Sequence, residues 1–220
     1  MEKTLHATLK SYFEPDTGAH EVRVGPFIAD IVGEHGIIEI QTAGLHRLRK
    51  KLATFLEVAP VTVVYPVAHK KWLLWTDPVT GEVKRRKSPK TGRFSDALPE
   101  LYQIKSLLPE PNLRLVILLV DMEEQRLRSN RHRKGFLRVE RIPLNIAARL
   151  DLRSPGDWAA FLPPGLPEPF LSKDFARATR LSLSKAQKAL LVLSHVGTVE
   201  RCGKQGNSIL YRNAIPTNCR

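Results

Sequence analysis

The chain has 220 residues, 42% of them hydrophobic, and a net charge of +13, a length that suits one medium domain with a smaller one beside it. No apolar run approaches the ~18 residues a spanning helix needs, and MEKTLHATLK lacks the apolar core and cleavage site of a signal peptide. Cys202 and Cys219 show no metal-type spacing, imply no disulfide framework and suit a reducing cytoplasm. Residues 2–13 predict a short amphipathic helix, because Leu5, Leu9 and Phe13 recur at helical spacing. EVRVG, FIADIVG and GIIEIQTA predict three short strands, with turns at Gly25-Pro26 and Glu34-His35-Gly36. LHRLRKKLATFLEV predicts a second amphipathic helix with Leu45, Leu48, Leu52, Phe55 and Leu56 on one face and Arg47, Lys50 and Lys51 on the other. VTVVYPV and NLRLVILLVDM are nearly continuous apolar runs of the kind a strand buried on both faces carries. Between them KKWLLWTD and GEVKRRK suggest a further hairpin, and DALPELYQI a helix. This order predicts an α/β domain with a central mixed sheet over residues 1–128.

Residues 129–169 read as a basic extension, with RKGFLRVERI as one more strand, followed by a connector. The stretch SPGDWAAFLPPGLPEP holds five of the 16 prolines and marks a domain boundary. Residues 170–215 change grammar to helix, turn, helix and hairpin. Ser172 and Ser182 or Ser184 are N-cap candidates, and Gly197 falls where a helix C-cap belongs. The charge is uneven as well. Residues 1–124 hold 17 Lys+Arg against 16 Asp+Glu, whereas residues 125–220 hold 18 against 6. A basic half of that kind points to a polyanion, most simply nucleic acid, with DNA favoured over RNA.

Two carboxylates inside adjacent strands carry the chemical signal. Asp30 in FIADIVG and Glu39 in GIIEI are costly to bury unless something pairs with them. Glu39 and Gln41 share one strand face by the period of two, and Asp30 on the partner strand can lie beside Glu39. Close carboxylates call for a cation or a proton between them, and oxygen donors without clustered Cys or His favour Mg²⁺ or Mn²⁺.

Helix, three strands, helix and strand, with Asp30 in the second strand and Glu39-Ile40-Gln41 in the third, resembles the core of the PD-(D/E)xK nuclease superfamily, with Gln in the lysine position. The resemblance covers roughly residues 1–70. It implies a restriction-endonuclease-like core, Asp30, Glu39 and the Ile40 carbonyl as metal ligands, and Gln41 as the group that orients water or meets phosphate. Arg47, Lys50 or Lys51 would replace the missing lysine. Glu21 and, more remotely, Glu2 are auxiliary acids. The C-terminal segment resembles a winged helix. That resemblance implies DNA contacts from Ser184, Lys185, Gln187 and Lys188 on the second helix and from Arg201, Lys204 and Arg212 on the wing. KRRKSPKTGR, read as a loop, adds Lys84, Arg85, Arg86, Lys87, Lys90 and Arg93 as backbone guides.

The remaining features are bland. No histidine shows ligand spacing, and only His20 beside Glu21 stands out. Trp72, Trp75 and Trp158 read as packing residues. A phosphate-binding Gly-rich loop and a nucleophile elbow are both missing. The expected protein is therefore a cytoplasmic, metal-dependent nuclease that binds DNA, with no membrane partner and room for a homodimer. The alternative is an inactive nuclease fold acting as a winged-helix regulator.

Overall fold

The computed structural model describes residues 3–129 and 135–214; Glu2, His132 and Cys219 lie outside them. Helix α1 (Thr4–Phe13) leads into β1 (His20–Val24), β2 (Phe27–Gly33) and β3 (Gly36–Ile40), an antiparallel meander. A 3-10 turn at Leu45–Leu48 opens helix α2 (Arg49–Leu56). Strand β4 (Val61–Thr76) returns parallel to β3. After β5 (Val83–Lys87) comes α3 (Leu98–Leu101), set between 3-10 turns. Strand β6 (Leu113–Arg128) runs parallel to β4, and β7 (Phe136–Leu152) antiparallel to β6. The sheet order is β1-β2-β3-β4-β6-β7, with β5 on the outer half of β4. The protein is thus mixed α/β, a large mixed sheet flanked by helices.

Apolar residues decide which helix covers which face. Leu5 and Leu9 of α1 pack on Ile31, Ile40, Val64 and Leu118. On the other face Leu52 and Phe55 of α2 and Leu98 and Leu101 of α3 pack on Val63 and Ile117. The turn that sets the β2–β3 register depends on Gly36. Its φ is +109°, and a Cβ there would collide with the Pro60 carbonyl. Gly36→Ala is expected to cost about 1–3 kcal/mol of stability, measurable by denaturant unfolding.

The second half of the chain differs from expectation in three ways. First, β4 is one 16-residue strand rather than a strand and a separate hairpin arm. Second, the hairpin expected of KKWLLWTD and GEVKRRK is present, β5 pairing antiparallel with the outer half of β4, so residues 84–87 of the segment read as a loop are strand. Every side chain of β5 is exposed, so no burial alternation marks it. Third, the strand expected at RKGFLRVERI is present but longer, β7 continuing to Leu152 with shifts in its ladder to β6, and as an edge strand it buries little along its length. The outer halves of β4 and β6, with β5 and the start of β7, form an arm. Ladder shifts between Ala68 and Lys71 on β4, and beside Val120 and Met122 on β6, separate the arm from the body. Asp121 pins the shift by accepting from Lys70 N at 2.9 Å and lying 2.8 Å from His69 Nδ1.

Strand β8 (Phe170–Leu171), helices α4 (Ser172–Thr179) and α5 (Leu183–His195), and strands β9 (Val199–Gln205) and β10 (Ser208–Asn213) complete the chain. The small sheet runs β8-β10-β9. Leu171, not Ser172, holds the N-cap position of α4, and the Asp174 carboxylate takes the Leu171 N–H at 2.9 Å. Ser182 precedes α5 as expected, and Gly197 ends it with φ +76° while Thr198 N donates to Leu193 O. The Pro-rich connector does not separate two cores. Leu190 and Leu193 of α5 belong to one continuous apolar cluster with Leu98 and Leu101 of α3.

Candidate active site

The β2–β3 ladder closes normally from Gly33↔Gly36 to Ile31↔Ile38 and then stops being a backbone ladder. At the next rung side chains replace it. Asp30 N donates to Glu39 Oε1 at 3.1 Å, and Ile40 N donates to Asp30 Oδ2 at 2.7 Å. The two carboxylates thus satisfy backbone donors that would otherwise be orphaned where the strands separate. Gln41 N donates to Val64 O on β4 and Ile37 N to Pro60 O just before it, so strand alternation turns the Ile40 N–H and carbonyl toward β2 beside Asp30.

One basic group approaches from each side. Lys51 Nζ on α2 donates to Glu39 Oε2 at 2.7 Å, and His6 Nε2 on α1 lies 3.2 Å from Asp30 Oδ2. Glu39 is only 1% exposed. Burial, reinforced by the charge of Asp30, pushes its carboxyl up to about 7 despite Lys51. Burial also opposes ionisation of Asp30, but hydrogen bonds from His6 and Ile40 N, together with the charges of His6 and Lys51, outweigh it. They hold Asp30 below the usual aspartate value. The pair is therefore split: one carboxylate is firmly ionised and the other titrates near neutrality.

The structure brings Asp30, Glu39, Ile40 and Lys51 together and leaves other expected members out. The Gln41 amide donates to the Ala43 carbonyl, so its side chain is committed to the following loop rather than to the acids. Arg47 and Lys50 are exposed and form no ion pair among the described residues. Glu21 falls on the rung opposite Asp30, but it has φ +54° and its 65%-exposed side chain pairs with Lys10 Nζ at 2.9 Å. His20 anchors the backbone, with Nε2 2.8 Å from Glu14 O. His6 was passed over in the sequence because its partner is 24 residues away. Its only local signal is that it lies one helical turn before Lys10, which faces the same strands.

The described residues contain no group of three or more His, Cys, Asp or Glu able to hold a metal. The rung gathers two carboxylates and the Ile40 carbonyl, with both Glu39 oxygens already taken by Asp30 N and Lys51. This all-oxygen set suits Mg²⁺ or Mn²⁺, which commonly keep one or two protein carboxylates and take water and phosphate oxygens elsewhere. Asp30 Oδ1 has no hydrogen-bond partner among the described residues.

The basic residues divide by surroundings. Arg85 stacks over Trp72 at 5.1 Å and donates to Glu123 at 2.8 Å. Lys84, Arg86 and Lys87 are exposed along β5. Lys90 pairs with Asp96 at 2.7 Å, and Arg93 donates to Ala178 O at 3.3 Å, tying the loop to α4. Ser184, Lys185, Gln187 and Lys188 are exposed on the first turns of α5. Arg201 and Lys204 are exposed on β9, while Arg212 is held by Glu200. Trp75 packs against Phe136 and Arg126, and Trp158 is buried.

A family model described as "Domain of unknown function (DUF8091)" matches residues 3–153, which is α1 through the end of β7. An uncharacterized protein of Treponema pallidum (strain Nichols) is 33% identical over 224 residues, covering 100% of this chain and 88% of that protein. No solved structure matches. None of the described helices is long and apolar enough to cross a membrane. Sheet, flanking helices and carboxylate pair all fall inside the matched segment, and the chain belongs to the DUF8091 family.

Proposed function

We propose that this protein is a metal-dependent phosphodiesterase acting on nucleic acid, with a restriction-endonuclease-like core and a C-terminal winged helix that holds the substrate. The observation that carries this reading is the set Asp30, Glu39 and Lys51 at the point where the β2–β3 ladder opens. Glutamine at 41 removes the expected lysine from β3, and Lys51 supplies the ammonium from α2 instead. Asp30, Glu39 and the Ile40 carbonyl would hold a divalent ion, which when bound polarises a phosphate oxygen and acidifies water. Lys51 stabilises negative charge developing on the phosphate, and His6 holds Asp30 in place. Hydrolysis joins a water oxygen to phosphorus, breaks one P–O ester bond and delivers a proton to the departing oxygen. The excess of cations after residue 125 and the exposed Lys185, Lys188, Arg201 and Lys204 support a polyanionic substrate.

Calorimetric titration of Mn²⁺ into the wild type and Asp30→Ala, paired with cleavage of a mixed DNA and RNA pool, tests this. The wild type is expected to bind metal and cleave, and Asp30→Ala to lose both, with at least about tenfold weaker metal binding. Salt-sensitive DNA binding without metal binding or cleavage would instead make the protein a winged-helix regulator on an inactive fold.

A further inference from the structure

Arg141 is a cation that no direct contact fixes among the described residues. It sits half-buried on β7 opposite Glu124, yet its guanidinium makes no hydrogen bond or ion pair among the described residues. Glu124 acts on it through space but makes no direct contact with it. That buried carboxylate is already taken by Lys71 at 3.2 Å, Arg126 at 2.6 Å and Arg138 at 3.4 Å. Burial and the neighbouring Arg138 act against the charge on Arg141, and the nearby Glu124, Tyr65 and Glu140 offset them only in part. A desolvated, unpaired guanidinium is costly, and such groups are rarely retained without a partner.

The missing partner has a place to bind. Arg141 lines a cleft of about 370 Å³ together with Thr42, Tyr65, Lys71, Lys90 and Lys185. Through Glu124, Arg141 is in register with Leu73, eight positions beyond Tyr65 on β4. A straight strand would separate those positions by about 26 Å. The arm must therefore fold over the body at the ladder shift for Arg141 and Tyr65 to share one wall. Lys185 closes the cleft from α5 and also lacks an ion pair among the described residues. Of the acids on the wall, Asp96 is paired by Lys90, whereas Glu100 accepts from the neutral Gly44 N and Gln103 and faces Tyr65. Tyr65 contributes a hydroxyl that burial, with the nearby charge of Glu100, keeps protonated.

The cleft continues the candidate active site. Glu39 pairs with Val63 on β4, and Tyr65, two residues on, shares that face. Thr42 on the cleft wall is three residues from Glu39, at most about 10 Å of chain and about three nucleotide rises. Its volume lies at the small-ligand end of the range. It admits one nucleotide unit but not a duplex, whose major groove alone is about 12 Å wide.

We infer that this cleft is a backbone-phosphate subsite for a single nucleic-acid strand, with Arg141 as its central cation and Tyr65 and Lys185 beside it. The inference deepens the phosphodiesterase reading and rests on it for the substrate class, so its test is run without metal and without cleavage. Fluorescence anisotropy in EDTA would compare the full chain with Arg141→Ala, Arg141→Lys and, as a control at the far end of β6, Arg114→Ala. The probes are a labelled 20-mer strand, as DNA and as RNA, and the matching duplex. Arg141→Ala is expected to weaken strand binding about tenfold and to lower the salt slope by about 0.7. Arg141→Lys should recover part of that loss, Arg114→Ala should change nothing, and duplex binding should fall less. Thermal melts verify folding, and Arg141→Lys carries the test if Arg141→Ala is unstable. Unchanged strand affinity in both Arg141 variants overturns the subsite, as does a wild type that binds neither probe at low salt. Equal losses on strand and duplex overturn its selectivity. A protein that never cleaves can still pass, which separates this inference from the catalytic one.

Discussion

Glu39→Gln is expected to lower metal-dependent cleavage on the order of 1,000-fold or more and, in the same protein without metal, to raise stability above neutral pH. Both effects follow from one buried group. Folding carries the Glu39 carboxyl from an ordinary 4.5 up to about 7, first through burial and then through Asp30, with Lys51 pulling back. The folded state therefore holds the proton more tightly than the unfolded state. Stability from this group is fully present below about pH 4.5, is lost as pH rises toward 7 and stays lost above it. The full difference corresponds to about 3 kcal/mol. Glutamine has nearly the same volume, its amide oxygen can still accept from Asp30 N, and it carries no charge to bury. Lys51, 18% exposed, can turn toward solvent. Denaturant unfolding at pH 5 and pH 8 should show a variant close to wild type at the lower pH and more stable at the higher. Mg²⁺ should stabilise the wild type and not the variant. A variant less stable than wild type at pH 8 would mean that the Lys51 ion pair outweighs the cost of burying Glu39.

The carboxylate pair was legible because an acid inside an alternating apolar strand breaks the local pattern, and Asp30 and Glu39 each do so. What surrounds them was not legible. Choosing among Arg47, Lys50 and Lys51 requires the phase of α2, and that phase is reset where a 3-10 turn at Leu45–Leu48 passes into α-helix at Arg49. Gln41 was assigned by strand period and by its place in the nuclease-like motif, which fix a face and a position but not where a flexible amide points once the strand ends at Ile40. The hairpin of β4 and β5 was expected, but its continuity with the buried strand was not, because burial alternation requires one wet face and one dry face and β5 has both faces in water. The cleft at Arg141 escaped for a third reason. Its residues come from strand positions far apart in register, with the ladder shift between Ala68 and Lys71 lying between them, and apolar β-branched sequence does not announce such a shift. The C-terminal helices and hairpin were easiest to read, since N-cap serine, C-cap glycine and apolar stripe are all local signals.

Leu190→Ala, in α5, is expected to cost about 2–5 kcal/mol and to lower the stability of the whole chain, not of the C-terminal segment alone. Leu190 is fully buried. The cluster it belongs to runs from Phe175 and Leu193 through Leu98 and Leu101 to Phe55 and Val63 under the sheet. A cavity there removes contacts on both sides of the Pro-rich connector. The chain supplies a direct readout, since its three tryptophans, Trp72, Trp75 and Trp158, all lie before residue 170. Trp72 and Trp75 lie on β4 but Trp158 lies in the connector near the end of α5, so with Trp158→Phe as the background tryptophan fluorescence reports the sheet, and far-UV circular dichroism reports helices throughout. If one cooperative unit unfolds, the substitution shifts both transitions by the same amount. An early circular-dichroism transition with the tryptophan midpoint unmoved would show the last segment melting by itself. The distinction bears on substrate handling. In a single cooperative unit α5 is fixed against α3, and Lys185 is held across the cleft from Arg141. A segment that opened alone would leave the cleft with its arm wall only, and strand binding would then fall under the mild conditions that first melt α5.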